Sequence, residues 1–133
     1  MIILGIESSC DDTSVALVDI TNTTSTVLAE KTASQIEVHK KYGGVVPEIA
    51  GRKHAENILP VVEEVLREYP KKPDAIAVTS GPGLVTGLLV GVEVAKNLSH
   101  LWNIPLVSMN HIDGHMQSVT IGLSPELLVY PAL

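Results

Sequence analysis

Phenylalanine is absent from the 133 residues, tryptophan occurs once and tyrosine three times. A composition 45% hydrophobic with mean hydropathy +0.28 nevertheless implies a generous core. That core must be built from Val, Ile, Leu and Ala packed against glycine, a profile that suits an α/β protein of one domain. The single cysteine, Cys10, excludes an internal disulfide framework and fits a reducing compartment, with the cytoplasm as the expected location. Basic clusters are scarce, and only Lys40-Lys41, Arg52-Lys53 and Lys71-Lys72 pair up against a formal charge of -6. This chain alone is therefore not expected to grip nucleic acid strongly. A long uninterrupted apolar run is missing too. The longest, Leu84 to Trp102, is broken by Glu93, Lys96 and Asn97, which predicts a buried helix and no membrane span. The amino terminus opens on a strand-like run with no basic segment before it, which makes a poor signal peptide.

What is present follows an order. Ile2 to Glu7 predicts a strand, Ser8 to Thr13 a polar turn carrying Asp11 and Asp12 at its tip, and Val15 to Asp19 a second strand. A third strand is expected from Thr26 to Ser34, completing an antiparallel meander. Gln35 to Val46, with His39 and Gly43-Gly44, shows no periodicity and is expected to be a loop. From Pro47 the apolar residues recur at helical spacings to about Tyr69, with Pro60 predicting a kink or a break near Asn57 to Leu59. His54 on this segment is expected to be a packing or surface residue. Ala75 to Val78 predicts a buried strand running into Thr79-Ser80-Gly81-Pro82-Gly83-Leu84, a strand, glycine turn and helix of the kind that brings backbone amides to an anion. Gly83, Gly87 and Gly91 stand at i, i+4 and i+8, which predicts a stripe on one helix face in close backbone contact. Asn103-Ile104-Pro105 ends that helix, and Leu106 to Met109 is the next strand. The order βββ-α-β-α-β-helix is that of one half of an actin-like or Hsp70-like fold.

Just after this last strand, His111 and His115 stand four residues apart. In a helix that spacing advances about 400°, so both imidazoles leave one face a turn apart and can converge on one cation. The residue after His111 is Ile112, where a zinc protease of the HExxH type needs a glutamate as general base. Two histidines are half a site, since tight metal binding takes at least a third protein ligand.

The chain resembles the tRNA N6-threonylcarbamoyladenosine transferases, long described as O-sialoglycoprotein endopeptidases and placed in the actin-like ATPase superfamily. The matching residues are Gly5-Ile6-Glu7-Ser8-Ser9-Cys10-Asp11-Asp12-Thr13, Ser34-Gln35 with His39, Tyr42-Gly43-Gly44-Val45-Val46-Pro47-Glu48, Gly81-Pro82-Gly83-Leu84 with Leu88-Leu89-Val90-Gly91, and Asn110-His111-Ile112-Asp113-Gly114-His115. The resemblance implies an actin-like, ribonuclease H-like lobe with a mixed sheet of about five strands and flanking helices. It implies transfer of a threonylcarbamoyl group from threonylcarbamoyl-AMP to N6 of the adenosine beside the anticodon. His111 and His115 would hold one divalent ion, iron in the first place or zinc. Asp11 and Asp12 would assist catalysis, and Ser9, Gly81 and Gly83 would bind substrate. Asp12 and Asp113 stand where many relatives carry glutamate. The family is much longer, so residues 1–133 are expected to be the N-terminal lobe, with the C-terminal lobe and its third metal ligand, an aspartate, outside the chain. Expected partners are tRNA, that missing lobe, a paralogous actin-like subunit and a small ATPase, with no membrane. The isolated chain is then catalytically incomplete. Two other readings are a metalloprotease, which the missing HExxH glutamate disfavours, and a non-catalytic scaffold lobe that pairs with another actin-like subunit.

Overall fold

The computed structural model describes residues 1–22, 24–119 and 121. Its elements in chain order are β1 (Ile2–Glu7), β2 (Asp12–Ile20), β3 (Ser25–Ser34), α1 (Ile36–His39), α2 (Pro47–Glu68), β4 (Ala75–Gly81), α3 (Val85–Trp102), β5 (Leu106–Asn110) and α4 (His111–Ser118). One five-stranded sheet has the order β3-β2-β1-β4-β5. The expected meander is present, with β1, β2 and β3 antiparallel, whereas β4 pairs with β1 and β5 with β4 in parallel. The helical crossovers allow this, since a parallel strand can be reached only by a long connection across one face.

Alternation in the strands decides which face is covered. Leu4 and Ile6 of β1, Val15 and Leu17 of β2, and Ile76 and Val78 of β4 are buried and meet Ile58, Val61, Val62 and Val65 of α2 and Ala95 of α3. Each fully buried Leu, Ile or Val contributes about 1.5–3 kcal/mol, so aliphatic residues suffice for this core. Tyr69 and Trp102 only border it. The opposite face, with Gly5, Glu7, Ser14, Ala16, Thr32, Ala77 and Thr79, is an open trough bordered by Gly114 of α4.

Four local expectations are corrected. The second strand starts three residues early, at Asp12, which pairs with Ser34, so Asp12 belongs to the sheet and not to the turn tip. Residues 36–42 are not a loop but α1 followed by a 3-10 turn at Lys40–Tyr42, too short to show a period. The side chains of Gln35 and His39 are buried beneath them, with His39 Nε2 3.0 Å from Gln35 Oε1. Gly83 lies in the turn ahead of α3, and only Gly87 and Gly91 are helical. Finally, of the kink or break expected near Asn57 to Leu59, the break does not occur, since α2 is one continuous helix through Pro60. Pro60 and Glu56, four residues before it, are both exposed, so the carbonyl that loses its donor faces water while Ile58, Val61 and Val62 hold the other side. Pro60→Ala is accordingly expected to stabilise the fold by about 1 kcal/mol, the interior proline penalty reduced by the freedom alanine restores to the unfolded chain. A lower melting temperature in a thermal unfolding scan would show that Pro60 sets a bend the packing needs.

Candidate functional site

Because β1, β4 and β5 run the same way, their carboxyl ends meet: Glu7 closes β1, Thr79 to Gly81 close β4 and Asn110 closes β5. Open α/β sheets bind ligands outside such strand ends. Asn110 also caps α4, its side-chain oxygen accepting from Ile112 N at 2.8 Å and Asp113 N at 3.3 Å, which starts the helix directly at His111. One turn later His115 follows on the same face. Their Nε2 atoms lie 3.0 Å apart, with the rings edge to face at 81°. The convergence read from the four-residue spacing is realised.

The residue that sequence reasoning missed is Glu7. Its Oε2 lies 3.1 Å from His111 Nδ1 and accepts from Thr79 Oγ1 at 2.6 Å, and its Oε1 accepts from Ser9 N at 2.6 Å. Burial pushes the Glu7 carboxyl up, but hydrogen bonds from Ser9, Thr79 and His111 outweigh it and hold the group below the ordinary carboxylate range. Glu7 thus stays an ionised acceptor at neutral pH. With a proton on His111 Nδ1 shared between Glu7 Oε2 and Ser9 Oγ, which is 3.0 Å away, the lone pair of Nε2 is left facing His115. An acidic residue ending an apolar parallel strand was the available signal.

Ser9 and Gly83 join this cluster. Leu84 N donates to Ser9 O at 2.7 Å, and Ser9, Gly83 and His111 line one depression with Cys10, Pro82 and Leu84. Gly83 must be glycine, since a Cβ there would stand 2.6 Å from Ser9 O. Gly81 pairs with Asn110 and has φ +155°, backbone that side chains rarely tolerate. Asp11 and Asp12 stand just beyond Ser9 and Cys10, and no hydrogen bond or ion pair among the described residues links them to the histidines. Asp12 Oδ1 is shielded from solvent without a hydrogen-bond partner.

Metal–nitrogen bonds of about 2.0–2.1 Å place two imidazole nitrogens roughly 3.3 Å apart at a tetrahedral angle. The separation of 3.0 Å fits a shared divalent cation with a small opening of the rings. His115 is exposed and His111 partly so, which leaves coordination positions open. Among the described residues no group of three His, Cys, Asp or Glu side chains forms a metal cage, so the pair supplies two ligands.

Among the described residues no helix is long and apolar enough to cross a membrane. The chain is similar in fold to YeaZ from Pseudomonas aeruginosa, with TM-score 0.59 and 24% identity over 83% of this chain and 45% of that one. It is also similar to RuvC from Thermus thermophilus, with TM-score 0.54 and 12% identity over 92% of this chain and 72% of that one. Both likenesses support the expected actin-like, ribonuclease H-like fold. Much greater likeness is found to proteins named tRNA N6-adenosine threonylcarbamoyltransferase: 55% identity to that of Fusobacterium nucleatum, over 87% of this chain and 34% of the relative, and 49% to that of Bacillus subtilis, over 100% and 38%. The chain thus spans little more than a third of the length of these relatives. A sequence profile of the same description, TsaD, matches residues 26–133. With that match over most of its length, the chain belongs to the tRNA N6-adenosine threonylcarbamoyltransferase family.

Proposed function

We propose that the chain is the metal-holding lobe of a cytoplasmic acyltransferase that moves a threonylcarbamoyl group from threonylcarbamoyl-AMP to N6 of the adenosine beside the anticodon of tRNA. The observation that carries the reading is the convergence of His111 and His115 at strand ends where Glu7 fixes the orientation of His111. His111 and His115 would hold the ion, Fe2+ or Zn2+, which when bound supplies a Lewis acid at the acyl carbonyl. The chain's own residues do the rest. Ser9, Gly81 and Gly83 shape the floor on which the adenylate lies beside the histidines. In the reaction N6 forms a bond to the carbamoyl carbon, the bond from that carbon to the phosphate oxygen breaks, AMP leaves and N6 loses a proton. Asp11 and Asp12, just beyond Ser9 and Cys10, would receive that proton. A weak amine gains chiefly from being held in place.

The remaining polypeptide, carrying a third metal ligand, a paralogous actin-like subunit and a small ATPase complete the proposed assembly. The 133-residue chain incubated alone with tRNA and threonylcarbamoyl-AMP is expected to form no modified nucleoside. Adding the other two-thirds of a full-length relative as a separate polypeptide, together with the paralogous subunit and the small ATPase, is expected to restore it, read by mass spectrometry of digested tRNA. Turnover by the chain alone, or none after complementation with folded partner, would sink the reading. The protease alternative has Ile112 where a general base is needed, and Glu7 is already engaged by three donors.

A further inference from the structure

Three successive carbonyls in the turn between β1 and β2 are held by three different segments. Ser9 O accepts from Leu84 N at 2.7 Å, Cys10 O from His54 Nε2 at 3.1 Å, and Asp11 O from Gln35 N at 3.2 Å. The outer two donors are backbone amides, which side-chain substitution leaves in place. The middle donor is a side chain on α2. His54 is fully buried, its Nδ1 lies 2.8 Å from Thr13 Oγ1, and a Cβ at Gly87 would come within 3.0 Å of its ring. Donation from Nε2 leaves Nδ1 to accept from the Thr13 hydroxyl, so one neutral tautomer satisfies both partners.

A buried, doubly bonded histidine is ordinarily a core residue, and one of the two bonds fits that description. The other reaches out of the core to an exposed residue, Cys10, standing between Ser9, which touches His111, and the Asp11-Asp12 pair. We infer that His54 is a positioning residue: through the Cys10 carbonyl it fixes the peptide plane from which Asp11 and Asp12 depart, relative to the histidine pair. Its effect on turnover rests on the transferase reading, but its effect on the turn does not.

The isosteric amides separate the two nitrogens, because asparagine mimics Nδ1 and glutamine mimics Nε2. Cys10, the single cysteine, is the probe, since its thiol is held by Asp11 and is pushed up by burial, by that hydrogen bond and by the neighbouring negative charges. Alkylation by a maleimide at fixed pH is expected to be about tenfold faster in His54→Asn, the factor for one buried hydrogen bond, and near wild type in His54→Gln. Thr13→Val, which removes the partner of Nδ1 alone, is also expected to leave the rate unchanged and serves if His54→Asn does not fold. In the complemented assembly His54→Asn is expected to lower kcat with KM for tRNA unchanged, and His54→Gln to rescue it. Alkylation that tracks melting temperature across the variants, whichever nitrogen is replaced, would overturn the inference. An inactive wild-type assembly would remove the transferase reading and leave the alkylation order to judge the clamp.

Discussion

Gly87→Ala is expected to cost on the order of 3 kcal/mol and to lower the melting temperature by roughly 10 °C. The new methyl would overlap the carbonyl oxygen of Ser8 and press on Cδ2 and Nε2 of His54 at 3.0 and 3.1 Å. Neither neighbour can yield. Ser8 is buried, its hydroxyl donating to Gly87 O at 3.0 Å, and His54 is held at both nitrogens. Against this, alanine improves helix propensity by up to about 1 kcal/mol, so the steric term wins. Gly114→Ala in α4 supplies the control: a Cβ there meets nothing within 4 Å, and the same substitution is expected to be neutral or slightly stabilising. Thermal unfolding of the two variants side by side reads the difference. Equal melting temperatures would mean that α3 can slide away from the Ser8-Ser9 turn, and that the glycine stripe is not a packing device.

That glycine stripe marks the boundary of what the sequence carries. Its i, i+4, i+8 spacing announced a close approach, but the surface approached, Ser8 and Ser9 in a turn almost eighty positions away, is a product of tertiary pairing. The antiparallel meander was legible, because three hydrophobic runs joined by short polar turns force it, whereas the parallel pairing of β4 with β1 and of β5 with β4 is a product of tertiary assembly. The choice between one helix and two at Pro60 was not legible, since the local penalty of Pro60 is offset by apolar residues whose burial depends on the whole sheet. The histidine pair was legible because its geometry is local to one helix turn. Glu7, 104 positions from His111, was hidden in a motif that looked like a strand end, and only the parallel pairing of β1 with β4 and of β4 with β5 brings it beneath the imidazole.

Glu7→Gln is expected to weaken Zn2+ or Fe2+ binding by about 10–100-fold while leaving both histidines in place, the range found when a carboxylate behind a ligating histidine is removed. The carboxylate acts in two ways. Accepting from His111 Nδ1 fixes the tautomer with the Nε2 lone pair outward, and its negative charge makes that nitrogen a better donor to a cation. Glutamine keeps the shape and one acceptor, loses the charge, and turns an amide N–H toward Ser9 N, Thr79 Oγ1 or His111 Nδ1, all of which now donate. His115→Ala is expected to have the larger effect and to abolish measurable binding, because a single imidazole is a poor site. Wild-type affinity is itself expected to be weak with two ligands, so competition against a chromophoric chelator is the suitable measurement, done anaerobically for Fe2+. The order wild type, Glu7→Gln, His115→Ala is the expected result. Binding that survives His115→Ala undiminished would place the cation elsewhere, and an unchanged affinity in Glu7→Gln would reduce Glu7 to a structural anchor of the Ser9 turn.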